Sequence, residues 1–424
     1  MFMPADPVAI TGLAVHTPLG DTPDLFLDAL LAGRSAIGPW VSLDMSRSPA
    51  KIGGDMQALD IMAKIRAQAE TLDPVQRRLL RRLAAPAPWS VRHSLSMAMA
   101  AWQDAGMPAA DPARIAVVVG GQHINSNYIH TTSLQFAQEP EWIEAQCALQ
   151  GLDTHHAAAV SELIGAQGPL YTIGAACASG VHALRAAAME IRAGLADIAV
   201  VIGAVADLAP PDLHSLALMG ALSTTRFAAT PARASRPFDA DRDGFVPAHG
   251  GAVIVLEAAA HAAARDARQY GSLLGAGISS DGSHLPQPTL GGQTRAMRLA
   301  LADAGILPCE VGLVSAHATS TPIGDTVELA SILDAFGPDA NGLPVIATKA
   351  LTGHCLWSAA LVETVAALLQ VRAGRLHGAP NLDTPIEHGG LSLTAAAPRG
   401  PVIMKNAFGF GGINGVLVLR AEIP

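Results

Sequence analysis

Runs of aliphatic and β-branched residues alternate along this chain with stretches whose apolar positions recur every three or four residues, the pattern of strands interleaved with helices. Residues 8–13, 115–119, 171–173, 198–203 and 252–257 predict buried strands in the first part of the chain. Helices are predicted over 24–32, over 90–105 and over an alanine-rich stretch ending at Gly194, with Gly33 and Gly106 closing the first two. Residues 258–270 predict a further helix. After a Gly/Ser/Pro-rich stretch around 279–292 the rhythm returns, with helices over 294–304, 325–335 and 356–373 and strands over 311–315, 345–347 and 415–420. Residues 122–151 are polar and irregular, compatible with a flap, a dimer element or part of a substrate tunnel. Both parts of the chain place a chemically interesting residue just after a strand, without close identity between them. That fits two related α/β halves with a site where they meet.

Composition narrows the function classes. Half of the 424 residues are hydrophobic, enough for a large core and more than one ordinary domain. Against 27 basic residues stand 36 acidic ones, a net charge of −9, which argues against a phosphate-tracking nucleic-acid binder. The densest basic run, Arg77, Arg78, Arg81 and Arg82, reads as a solvated helix face or as a docking patch for an acidic partner. Cys147, Cys177, Cys309 and Cys355 form no CxxC pair, and a core of this size needs no disulfide staples. The first twelve residues lack a basic stretch followed by an apolar one, and apolar runs such as 198–206 are too short to span a bilayer; a cytoplasmic protein is expected.

Four segments carry candidate chemistry. Cys177, in GAACASG, follows a strand and opens a helix, where free amide groups favour a thiolate and small neighbours leave room for an acyl chain; a buried structural cysteine is the competing reading. His317, in SAHATSTPIGD, and His354, in ATKALTGHCLWSAA, would each read alone as capping or core histidines. Their spacing, with no third ligand nearby, argues against zinc. NAFGFGGIN, residues 406–414, predicts a glycine turn that brings N–H groups close to a ligand; no lysine follows, so it is not a phosphate loop.

Taken in order, GAACASG, SRPFDADRDGFV, HATSTPIGD, TKALTGH and NAFGFGG resemble the β-ketoacyl-acyl-carrier-protein synthases of the thiolase superfamily, the type II condensing enzymes of fatty acid and polyketide synthesis. The resemblance covers nearly the whole chain and includes the opening ITGLAVHTPLG and LLAGRSAIGP. It implies an α/β thiolase fold, two related halves in five α-β-α-β-α layers, with the nucleophile in residues 1–260 and the two histidines in 261–424. By that likeness Cys177 accepts the acyl group, His317 and His354 hold the extender thioester, and Lys349 and Glu328 order the site. Thr319 and Thr321 touch the pantetheine arm, with Phe408, Gly409 and Gly411 beside it. The amides of Cys177 and Phe410 form the oxyanion hole, Phe410 gating the nucleophile. No metal or cofactor of its own is implied, since the phosphopantetheine arm arrives on the carrier protein. The partners implied are an acyl carrier protein and acyl and malonyl-type thioesters, with a homodimer expected and a heterodimer possible. Arg66, Arg77, Arg78 and Arg226 are the candidate docking groups for the carrier.

The chain also departs from the family pattern. His317-Ala318-Thr319 stands where relatives read HGT, Ala248-His249-Gly250-Gly251 where they read GEGA, and Trp357 replaces a glycine after His354; Ala175 replaces a hydroxyl residue two before the nucleophile. These departures point to specialised rather than housekeeping synthesis. The alternatives are a malonyl-carrier-protein decarboxylase, an acyltransferase variant, or a partner subunit of another ketosynthase; a chain-length-factor partner would lack the cysteine.

Overall fold

The structure, a computed structural model, describes residues 6–284 and 287–423. Residues 1–5 of the N-terminal segment, 285–286 of the Gly/Ser/Pro-rich stretch and 424 lie outside the described residues. In chain order the strands are β1 (Val8–His16), β2 (Ile37–Pro39), β3 (Ile52–Gly54), β4 (Ile115–Gly120), β5 (Leu170–Ile173), β6 (Ile198–Gly203), β7 (Gly251–Ala258), β8 (Gly271–Ser280), β9 (Leu313–Ser315), β10 (Val345–Ile346), β11 (Val402–Gly409) and β12 (Ile413–Ala421). β2 and β3 form a small separate ribbon. The other strands make one ladder of order β10-β9-β11-β12-β8-β1-β7-β6-β4-β5.

That order contains the same five-strand unit twice. If the strands of each half are counted in chain order, both β5-β4-β6-β7-β1 and β10-β9-β11-β12-β8 read 3-2-4-5-1. The orientations match as well: within each unit the first two neighbour pairs are parallel and the last two antiparallel. The two units touch through a short seam, Val8 to Ile10 against Gly271 to Leu273. The expected boundary at 260/261 falls within the helix Ala259–Ala264, which joins β7 to β8.

Helices complete five layers. Trp89–Asp104 and Thr154–Ile164 cover the outer face of the first unit, forming one core with alternate residues of β4, β6 and β7. Leu290–Ala304 and Pro322–Phe336 cover the second unit in the same way. Between the units lie Ser179–Arg192 and Ala359–Arg372, packed on strands of both in the largest core. The second of these helices is buried from Ala359 to Val371, as expected of a layer covered on both sides. The two central helices cross closely at Gly180. A Cβ there would lie 2.5 Å from Leu361 Cδ1 and 3.0 Å from Ala360 Cβ, so only glycine fits without a shift.

The pattern of the sequence misplaces three elements. The helix expected over 258–270 ends at Ala264, residues 265–270 form a turn and loop, and β8 follows, whose Gly/Ser content (GSLLGAGISS) disguises a strand paired on both sides. Residues 402–409 form β11, so Asn406 to Gly409 are strand and only Phe410 to Gly412 turn. Residues 122–151 contain the helix Ser126–Gln138 and a short turn of helix, Cys147–Gln150, rather than irregular chain. Among the described residues no helix is long and apolar enough to cross a membrane.

Candidate active site

Cys177 stands on a tight turn, Ala176–Ala178, between β5 and the central helix Ser179–Arg192. Ala176 has φ +46°, a left-handed conformation that costs an alanine roughly 1–2 kcal/mol. Ser179 braces the bend, its Oγ accepting from the Ala175 N–H at 2.8 Å and donating to the Ala176 carbonyl at 2.6 Å. The β11–β12 hairpin closes over this turn at Gly409, where a Cβ would lie 2.9 Å from the Ala175 carbonyl oxygen and 3.2 Å from the Cys177 nitrogen. This approach aims the amides of Cys177 and Phe410 at the Cys177 sulfur. Burial pushes the thiol up to about 11; Lys349 and the two amides pull it down and Glu363 pushes it up, so burial outweighs the field expected to favour thiolate.

The two histidines come from the other half. His317 follows β9, and His354 precedes the central helix Ala359–Arg372. His354 Nε2 lies 3.1 Å from Cys177 Sγ, and its Nδ1 accepts the Leu356 N–H at 3.2 Å. A neutral ring that accepts at Nδ1 carries its proton on Nε2, facing the sulfur. The His317 ring stands at right angles to that of His354, centroids 5.5 Å apart. Burial, with Lys349 next in size, drives both imidazoles well below the usual histidine range, so both are neutral. Cys177 lies beside both rings, its sulfur and one nitrogen of each within 4.8 Å of one another, a closeness that local spacing does not show.

Behind His317 lies a buried charged network. Glu328 Oε1 accepts the His317 N–H at 2.7 Å and Asn406 Nδ2 at 3.0 Å, and its Oε2 accepts the Ala318 N–H at 2.6 Å. Burial raises the Glu328 carboxyl, and these donors hold it down. Lys349 Nζ donates to the His317 carbonyl at 2.5 Å, sits 3.4 Å from His317 Nδ1 and pairs with Glu363 at 2.5 Å. Lys405 pairs with the other oxygen of Glu363 at 2.7 Å. Sequence reasoning missed Glu363, Lys405 and the role of Asn406. The available signal was a lone carboxylate in the apolar run AALVETVAALLQV and a lysine directly before the NAFGFGG turn.

A cavity of about 370 Å³ opens onto these groups, lined by Cys177, His317, His354, Glu328, Thr319, Thr321, Phe408, Gly409 and Phe410 among others. Gly411 lies in the hairpin turn at φ +84° and does not line it; Gly412 does. Phe410 is 40% exposed, its ring 6.5 Å from that of Phe245 at the cavity edge. Neither Trp357 nor any residue of the 122–165 segment lines the cavity. Trp357 packs instead where two core clusters meet, its indole N–H buried with no hydrogen-bond partner among the described residues. His249, in place of the relatives' glutamate, is buried beside Trp40 and Trp89 with Nδ1 accepting the Met56 N–H at 3.2 Å, and burial lowers it to about 4.

None of the four arginines considered for docking lines the cavity. Arg66 and Arg78 are exposed on the helices Ile61–Ala69 and Pro74–Ala84. Arg77 caps the first of these helices by donating to the carbonyls of Ala69 at 3.0 Å and Glu70 at 3.2 Å. Arg226 pairs with Asp241 at 2.7 Å.

Comparison with known proteins gives this arrangement a family. Residues 5–262 match the Beta-ketoacyl synthase, N-terminal domain, and residues 270–383 the Beta-ketoacyl synthase, C-terminal domain. The 3-oxoacyl-[acyl-carrier-protein] synthase 2 of Coxiella burnetii (strain RSA 493 / Nine Mile phase I) is 33% identical over 97% of this chain and 98% of its own. The polyketide biosynthesis malonyl-ACP decarboxylase PksF of Bacillus subtilis (strain 168) is 29% identical over 97% of this chain and 96% of its own. A chain of the solved AntDE:AntF complex, a type II PKS acyl-carrier protein with its ketosynthase bound to the hexaketide, is 27% identical with a TM-score of 0.83, covering 99% of this chain and 100% of that one. The chain belongs to the β-ketoacyl synthase family and has its thiolase fold. It is an acyltransferase of the 3-oxoacyl synthase kind.

Proposed function

We propose that the protein condenses an acyl group held on Cys177 with a malonyl-type thioester borne by an acyl carrier protein, in polyketide or other specialised fatty-acyl synthesis. The observation that carries this reading is one sulfur, two neutral imidazoles and two backbone amides converging on a single cavity.

In the first step the Cys177 sulfur attacks the incoming thioester carbon. The carbonyl oxygen becomes an oxyanion held by the amides of Cys177 and Phe410, a preorganised arrangement in which one donor is worth about 3–4 kcal/mol. The carrier thiol leaves with the proton that the Cys177 thiol gave up. Next the malonyl arm enters along Thr319 and Thr321. Its carbon–carboxylate bond breaks, carbon dioxide departs, and the electron pair forms an enolate whose oxygen accepts Nε2–H from His317 and His354. Neutral imidazoles suit this, since each donates a proton-bearing nitrogen without losing a charge. The enolate carbon then attacks the Cys177 thioester; the carbon–sulfur bond breaks, releasing the β-ketoacyl product and the Cys177 thiolate, which takes a proton from water to restore the thiol.

Two partners belong to this reading. A second copy of the chain would cover exposed apolar side chains of the 122–165 segment, among them Phe136 and Trp142, 63% and 67% exposed, and pair the open edge of β5. Sedimentation should find a dimer, and Phe136→Glu should shift it toward monomer. The carrier protein would meet exposed basic groups, and Arg78→Glu should raise KM for carrier-bound substrate several-fold with kcat held; an unchanged KM removes Arg78 from the docking surface.

The test of the activity is to incubate the protein with acyl- and malonyl-carrier proteins and weigh the products. A β-ketoacyl carrier supports condensation. Acetyl carrier without that product supports the alternative, a decarboxylase, which the likeness to PksF favours.

A further inference from the structure

Lys405 projects from β11 into the interior, 0% exposed, although strand residues of this kind are ordinarily apolar. Its ammonium donates to the Asn406 carbonyl and pairs with Glu363 Oε2 at 2.7 Å. Glu363 reaches from the central helix to hold Lys349 at 2.5 Å through its other oxygen, and Lys349 in turn lies against the His317 carbonyl and Nδ1. One carboxylate is thus clamped between two lysines, and the chain of contacts ends on an imidazole of the cavity.

We propose that Lys405 is a positioning residue for His317: by fixing Glu363 it holds the Lys349 ammonium at Nδ1, so that His317 stays neutral and presents Nε2–H to the cavity. The inference rests on the role given to His317 above and extends it to a residue that never touches substrate.

The charge balance explains why a second lysine is needed. The groups around His317 are Lys349, Lys405, Glu328, His354 and Cys177, with Glu363 behind the two lysines. With both lysines charged, both glutamates ionised and the imidazoles and thiol neutral, the cluster carries no net charge. Without Lys405 it carries one uncompensated negative charge in a buried setting, which is costly. Protonating His317 would then relieve the imbalance while setting a cation against Lys349 and breaking the Nδ1 contact. Lys405 is itself one of the charges that keep protons off His317 and His354.

The experiment reads His317 directly, by 15N NMR of histidine-labelled protein across pH, with Lys405→Met, the charge-keeping Lys405→Arg, and a His317→Asn control to assign the ring. In the parent protein His317 should remain a neutral Nε2–H tautomer. In Lys405→Met its protonation midpoint should rise by about one pH unit or more, tenfold in the equilibrium. Release of carbon dioxide from malonyl carrier should fall at least about tenfold through kcat, with KM held. Lys405→Arg should restore both. Should Lys405→Met fail to fold, Lys405→Ala prepared in ammonium buffer should show the same shift when ammonium is removed. A folded variant whose His317 keeps the parent tautomer and midpoint overturns the proposal. The NMR result stands whether or not the parent protein releases carbon dioxide, so failure of the condensing reading is seen separately.

Discussion

The two halves of the molecule share one strand order but bring opposite materials to the cavity. The first contributes a sulfur on a turn of small residues together with its own backbone amide, and the second amide, that of Phe410, reaches the sulfur from the other half. The second contributes two histidines backed by two lysines, two glutamates and an asparagine, all buried. A nucleophile that must accept a bulky group needs empty space and fixed dipoles. A group that must donate hydrogen bonds while uncharged needs neighbours that set its tautomer. Under the proposed function the same supporting frame would meet both needs, because the loops at the ends of equivalent elements differ.

The sharpest way to break the comparison is to disable one half at a time. Cys177→Ala should lower β-ketoacyl formation by more than about a thousandfold while carbon dioxide release persists, because the enolate donors are untouched. His317→Ala should cut carbon dioxide release by about a hundredfold or more while iodoacetamide still alkylates Cys177. Product mass and carbon dioxide trapping check both. Loss of both activities in each variant would mean that the halves do not divide the chemistry.

A smaller effect tests the sulfur itself. With burial holding the thiol up to about 11, little thiolate is present at neutral pH. The rate of Cys177 alkylation should therefore climb about tenfold per pH unit through pH 7–9 and level only near its raised value. A plateau already at neutral pH would show that the amide field prevails over burial. The smallest effect concerns the join between the halves: Gly180→Ala, pressing on Leu361, should lower unfolding stability by about 1–3 kcal/mol in a denaturant titration.

Much of this was legible in the sequence. Strands such as 198–203 and helices such as 90–105 announce themselves by periodicity, and the order of five motifs identifies the Cys-His-His set. β8 was not legible, because its glycines and serines leave no run of β-branched residues to mark a strand, although both edges are paired. The support behind His317 was hidden for a different reason. Glu363 and Lys405 lie 42 residues apart in the chain, and only the packing of a central helix on β11 makes them neighbours. Nor does spacing show that burial, rather than the end of a helix, dominates at Cys177.

Ala318 shows what a single methyl group can do. It follows His317 at φ +32°, a backbone setting that suits glycine far better than alanine, and it is almost fully enclosed. Glycine there would relieve local tension and give the peptide between His317 and Thr319 many more orientations. Alanine sacrifices some of the folded state's margin there, roughly 1–2 kcal/mol for a left-handed setting, and leaves a stiffer main chain, already gripped by both oxygens of Glu328, just past the ring.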